Sequence, residues 1–287
     1  MSKRLISSGI GTAIGITVLW LDNKWLFLAA FAAISVAAVY EILVATKYVK
    51  NIAVAVISLL FAATVPFLLN WGHIYQIRYI NVRYVSFAFV VGLFIIMLFS
   101  HKKVQFSQVA LVAFISLCIP FSLSCAVFMF DRFGEGHRTF ALVYALTITW
   151  ISDSGAYFAG TFFGKHKMAP NISPKKTWEG FAGGLLSAAL FGFLLGRGYE
   201  LTTRIFTGEL NFEVQVLFLT ALAIPCSLLG VLGDFSASIL KRECSVKDFG
   251  SIMPGHGGVL DRFDSILFVM PFVYFVFEWQ FPVVPII

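Results

Sequence analysis

The 287-residue chain is 59% hydrophobic and 13% charged, with a formal net charge of +6. Soluble domains carry about 25% charged residues, so a normal solvated surface is excluded. Continuous apolar runs of roughly 17 to 25 residues exclude a β-barrel, whose strands alternate over short segments, and predict an all-α polytopic membrane protein.

Nine spans are expected in chain order, near 5–21, 25–46, 51–70, 84–100, 106–130, 139–163, 178–196, 213–239 and 262–281. The first follows Lys3 and Arg4 and is read as a retained helix, since the chain re-enters the membrane almost at once. Nine spans put the ends on opposite sides. With the N-terminus cytoplasmic and the C-terminus outside, inside segments hold 14 of the 21 basic residues and outside segments 7. The positive-inside rule favours that orientation. Cys118, Cys125, Cys226 and Cys244 lack metal-type spacing and read as small buried hydrophobes.

The chain changes character near its middle. Residues 1–135 supply about five bland spans with a structural or dimerising role, and their one deep acid, Glu41, is expected at the membrane interface. Residues 136–287 supply about four spans and carry the polar residues, which gather at the cytoplasmic ends of helices.

Three segments hold them. In the first, Asp153 lies within the sixth span, sharing a helical face with Ala156 and Gly160. An acid at that depth costs about 2.5 to 3.5 kcal/mol on insertion scales, so a function is expected of it. The loop that follows carries Lys165, Lys167, Ser173, Lys175 and Lys176, and Thr177 can cap the next helix, whose free N–H groups favour phosphate. In the second, Asp234, Ser238 and Lys241 fall at i, i+4 and i+7, a polar stripe along one helix face. In the third, Lys247 and Asp248 precede Pro-Gly-His-Gly-Gly at 254–258, and Asp261 and Asp264 follow at i and i+3, with Arg262 between. These two acids are expected on one face at the start of the ninth helix.

Acids gathered in a low dielectric repel one another, and divalent cations relieve this; carboxylate oxygens select Mg²⁺ or a similar hard ion. His256 stands alone, so zinc is not suggested. Lys175, Lys176, Lys241, Arg242, Lys247 and Arg262 make a complementary anion site, while Gly255, Gly257 and Gly258 let backbone approach phosphate. Carboxylates for metal with many cations for an anion is the pattern of phosphoryl or nucleotidyl transfer.

The segment from Ser238 to Asp264, SILKRECSVKDFGSIMPGHGGVLDRFD, resembles the signature of the phosphatidate cytidylyltransferases, the CDP-diacylglycerol synthases. The upstream segment with Asp153, Tyr157, Gly160 and ISPKKTWEG is similar to that family as well. The likeness covers roughly the C-terminal half; the earlier spans match in hydropathy alone.

The resemblance implies that CTP and phosphatidic acid give CDP-diacylglycerol and pyrophosphate. Metal would rest on Asp234, Asp261 and Asp264, as one Mg²⁺ with K⁺ as a candidate second cation. Lys241 and Asp248 would join these acids in catalysis. Asp153, Ser173, Lys175, Lys176, Ser238, Arg242, Lys247, Gly255, His256, Gly257, Gly258 and Arg262 would bind substrate, His256 by orienting the glycine loop or touching phosphate. The implied setting is a bacterial inner membrane, the site facing the cytoplasm, in a homodimer with no nucleic-acid partner. A CTP-dependent lipid kinase or another lipid nucleotidyltransferase shares the site logic. An ion-coupled transporter fits less well, because its acids would sit near the midplane.

Overall fold

The structure, a computed structural model, describes residues 11, 13, 15–47, 51–74, 82–102, 104–134, 137–207, 212–253 and 257–285. Its helices are α1, described over 15–20, α2 (Lys24–Ala45), α3 (Ile52–Ile74), α4 (Val82–Phe99), α5 (Phe106–Arg132), α6 (His137–Phe163), α7 (Trp178–Thr207), α8 (Val216–Glu243), α9 (Leu260–Phe263) and α10 (Ile266–Trp279). Four short strands make two antiparallel pairs: β1 (Lys167–Ala169) with β2 (Ser173–Thr177), and β3 (Phe212–Val214) with β4 (Val283–Pro285).

Among the described residues six helices are long and apolar enough to cross a membrane: α2, α3, α4, α5, α7 and α8. The chain is an integral membrane protein, mostly helical. The 27-residue α6 matches the expected sixth span in position and length but is not apolar enough to join the six, because Ser152, Asp153 and Ser154 interrupt it. The expected 262–281 span is broken. α9 is one turn, Asp264 and Ser265 form a turn, and α10 has 14 residues, or about 21 Å of helix against about 30 Å of hydrocarbon. Asp261 and Asp264 therefore do not share a continuous helical face. Most of the first expected span lies outside the described residues.

The chain divides into two compact units, residues 1–131 with 241–263, and 132–240 with 264–287. In the first, Asn23 starts α2 by accepting the N–H groups of Trp25 and Leu26 at 3.0 and 3.1 Å. Phe27, Leu28, Ala38, Val39 and Leu43 bury the inner face of α2. Phe27 stacks on Phe130 of α5 at 4.9 Å, and Phe61 of α3 on Phe89 of α4 at 4.3 Å. Lys24 pairs with Asp131 at 2.5 Å.

In the second unit α6 and α7 meet through small residues. A Cβ added at Gly180 would lie 2.7 Å from the Ala156 carbonyl, one at Gly184 3.0 Å from the Ser152 carbonyl, and one at Gly183 would collide with the Ala159 side chain. Apolar area gains little between helices in lipid, so such close approach is what holds them together. Tyr144 donates to the Leu219 carbonyl at 2.6 Å and Ser152 shares a hydrogen bond with Ser227 at 2.6 Å, tying α6 to α8.

The lysine-rich loop contains a hairpin that the sequence reading left irregular. Pro170 and Asn171 make its turn, closed by the Ile172 N–H on the Ala169 carbonyl at 3.2 Å. Proline pre-sets the first turn dihedral, and asparagine suits the second corner. In β2, Lys175 is exposed while Lys176 is half-buried.

Candidate active site

The second unit brings β2, α6, α8 and the 264–265 turn together around acids. Lys176 Nζ pairs with Asp234 Oδ2 at 2.7 Å and lies 4.0 Å from the centre of the Phe235 ring. The Ser238 hydroxyl donates to Asp234 Oδ1 at 3.5 Å, one helical turn on, as the stripe predicts. Asp153 is the electrostatic neighbour of both Asp234 and Lys176. The buried Ser265 hydroxyl is a polar neighbour of the Asp153 carboxyl. Asp264 Oδ1 accepts the Ser265 N–H at 2.8 Å. Gly233 lets α8 approach this turn: a Cβ there would lie 2.5 Å from the Asp264 carbonyl.

Thr177 ends the hairpin and caps α7, accepting the Gly180 N–H at 3.1 Å. His166 Nδ1 and Glu179 Oε1 are 2.6 Å apart, and the His166 N–H reaches both Glu179 oxygens at 3.2 Å. The base of the hairpin is thus tethered to the first turn of α7.

The first unit holds residues 241–263 of the signature segment. Lys241 Nζ pairs with Asp261 Oδ1 at 2.9 Å, with 14% and 6% of their side chains exposed. Asp261 Oδ2 accepts the N–H groups of Phe249 and Gly258, both at 3.0 Å. Glu41 of α2, 1% exposed, accepts the N–H groups of Val259 and Leu260, both at 2.9 Å. Gly257 has φ +89°, which a side chain rarely adopts, and a Cβ there would sit 3.5 Å from Asp248. The described N–H donors at 258–260 thus point at two carboxylates of the chain itself.

The profile of the Cytidylyltransferase family matches residues 2–280. The chain belongs to that family. Among similar proteins, the phosphatidate cytidylyltransferase of Bacillus subtilis strain 168 is 39% identical over 177 residues, covering 62% of this chain and 59% of that one. Haemophilus influenzae Rd has one 42% identical over 142 residues, 49% of this chain and 47% of its own. That of Staphylococcus aureus strain COL is 42% identical over 145 residues, 50% and 51%. The aligned part of the chain spans about half the length of these curated relatives.

In this cytidylyltransferase-family chain the predicted site residues fall in both units. Asp153, Ser173, Lys175, Lys176, Asp234, Ser238 and Asp264 belong to the second; Lys241, Arg242, Lys247, Asp248, Gly257, Gly258, Asp261 and Arg262 belong to the first. Lys175, Arg242, Lys247, Asp248 and Arg262 are exposed. Gly255 and His256 lie outside the described residues. Among the described residues no three of His, Cys, Asp and Glu are arranged to hold a metal ion. Glu41, expected at the interface rather than with a partner, is buried in protein and bonded to two N–H groups. The available signal was a lone carboxylate in a 22-residue apolar helix, which must find donors.

Proposed function

We propose that this chain is a phosphatidate cytidylyltransferase. A phosphate oxygen of phosphatidic acid attacks the α-phosphorus of CTP, the bond to the bridging oxygen breaks, and CDP-diacylglycerol and pyrophosphate leave. The nucleophile already carries charge near neutral pH, since a phosphate monoester has its second pKa near 6. No general base is required. The task for the protein is to bring two polyanions together and to stabilise charge on the transferring phosphoryl group and on pyrophosphate.

One observation carries this reading: within the family match, the signature's Lys241–Asp261 pair is built into a buried network at 2.9 Å. A preorganised ammonium beside an anchored carboxylate is costly to bury and of little use to packing. Lys176, with Phe235 against its ammonium, and the exposed Lys175, Arg242, Lys247 and Arg262 would neutralise phosphate. Asp153 and Asp234, with Ser265 near the Asp153 carboxyl, would offer oxygen donors to a hard divalent cation such as Mg²⁺, Asp234 exchanging its Lys176 partner for the ion. Asp261, the third acid expected to ligate, has both oxygens engaged within the protein. A bound Mg²⁺ would supply charge neutralisation at the transferring phosphoryl group. K⁺ as a second cation, a homodimer, nine spans with the ninth interrupted at Asp264 and Ser265, and a cytoplasm-facing site in the inner membrane belong to the same reading.

The test is incubation of detergent-solubilised protein with labelled CTP, phosphatidic acid and Mg²⁺, followed by lipid extraction. Label should enter CDP-diacylglycerol, and EDTA should abolish it. Phosphate rather than cytidylyl transfer would indicate a lipid kinase, and no label in lipid would refute both.

A further inference from the structure

A carboxylate in α2 meets the signature segment more than two hundred residues away in sequence. Among the described residues, the groups on its two oxygens are the Val259 and Leu260 N–H groups, at 2.9 Å each. Two glycines make room for it. A Cβ on Gly250 would lie 2.5 Å from Glu41 Oε1, and one on Gly258 2.5 Å from Oε2. Any other residue at either position would drive the carboxylate out.

These contacts set where α9 begins. With the Val259 and Leu260 N–H groups satisfied, the chain turns into helix at Leu260 and Asp261 follows. Asp261 then receives the Gly258 and Phe249 N–H groups on one oxygen and Lys241 on the other. The two carboxylates hold consecutive N–H groups of a single stretch, Gly258 by Asp261, Val259 and Leu260 by Glu41. An amide could not replace Glu41. Glutamine offers one acceptor where two donors converge, and its NH₂ would face an N–H. Two buried N–H groups would otherwise compete for partners, and the stretch would move.

We propose that Glu41 is a positioning residue for cytidylyl transfer: it fixes the backbone of Gly258 to Leu260 and thereby the place of Asp261 and its lysine. This rests on the proposed function, but the structural part can be read without it. The full-length protein in detergent is compared as wild type, E41Q, E41D and G258A by hydrogen–deuterium exchange, alongside the cytidylyl-transfer assay. E41Q should speed exchange at 257–260 by on the order of tenfold, while α6 and α7 exchange as in wild type. Its kcat/KM should fall on the order of 10- to 100-fold. E41D keeps two acceptor oxygens and should recover part of both losses. G258A pushes on the carboxylate from the other side and should reproduce the loosening even if E41Q does not fold. Wild-type exchange at 257–260 in E41Q or G258A would overturn the proposal, as would loosening spread evenly through α2–α5. If wild type transfers no label to lipid, the enzymatic reading falls, and the exchange data still decide what Glu41 holds.

Discussion

Asp261 shows how much one side chain can be asked to do. Its carboxylate accepts two backbone N–H groups and a lysine, and only 6% of it is exposed. Removing one partner from a buried pair strands the other, at a cost of about 3–5 kcal/mol. D261N should therefore lower thermal stability by that order and abolish transfer. The double variant K241M/D261N strands no ammonium and keeps a side-chain oxygen for the Phe249 and Gly258 N–H groups, so it should melt closer to wild type while remaining inactive. Two melting curves and one assay check this; a double variant less stable than D261N would contradict it. The residue types here were legible in advance, since acids and lysines at helix ends are rare in so apolar a chain. Their partners were not, because a lysine at i and an acid at i+20 carry no periodic signal. Asp234, expected to hold metal, also pairs with Lys176 from a strand that the sequence reading did not include.

At the scale of elements, the glycines of α7 divide into two kinds that look alike in sequence. Gly183 has the Ala159 side chain where its Cβ would be, whereas Gly198 has nothing within 4 Å. G183A should destabilise the α6–α7 contact by about 1–3 kcal/mol through overpacking. G198A should be neutral or stabilising by up to about 1 kcal/mol, because alanine is the better helix former. Thermal unfolding in detergent compares the two directly. The sequence reading anticipated the small-residue face of α6, since 153, 156 and 160 recur at helical spacing. It missed the β1–β2 hairpin, although Pro170-Asn171 was a readable turn, because the four lysines drew attention to charge and phosphate rather than to the backbone between them. It also ran one helix through 262–281, where Asp264 instead uses its side chain on the Ser265 N–H and the helix restarts at Ile266.

At the scale of the whole molecule, the charge pattern predicts an orientation. Reporter fusions should place residue 165 on the cytoplasmic side and residues near 200 outside. A reversed result would remove the argument for a cytoplasmic site, because CTP would not reach it. Sequence by itself determined the membrane class, the position of most long helices, the resemblance to the cytidylyltransferases and the residue types of the site. Each of these is local: bilayer thickness sets the length of an apolar run, and a signature is read within one stretch of chain. Only the tertiary structure decided that 241–263 groups with the N-terminal helices, that Glu41 holds the start of α9, and that the metal-type acids pair with lysines. The physical reason is that a buried polar group must find a partner, and which one it finds depends on how distant segments pack rather than on any spacing along the chain.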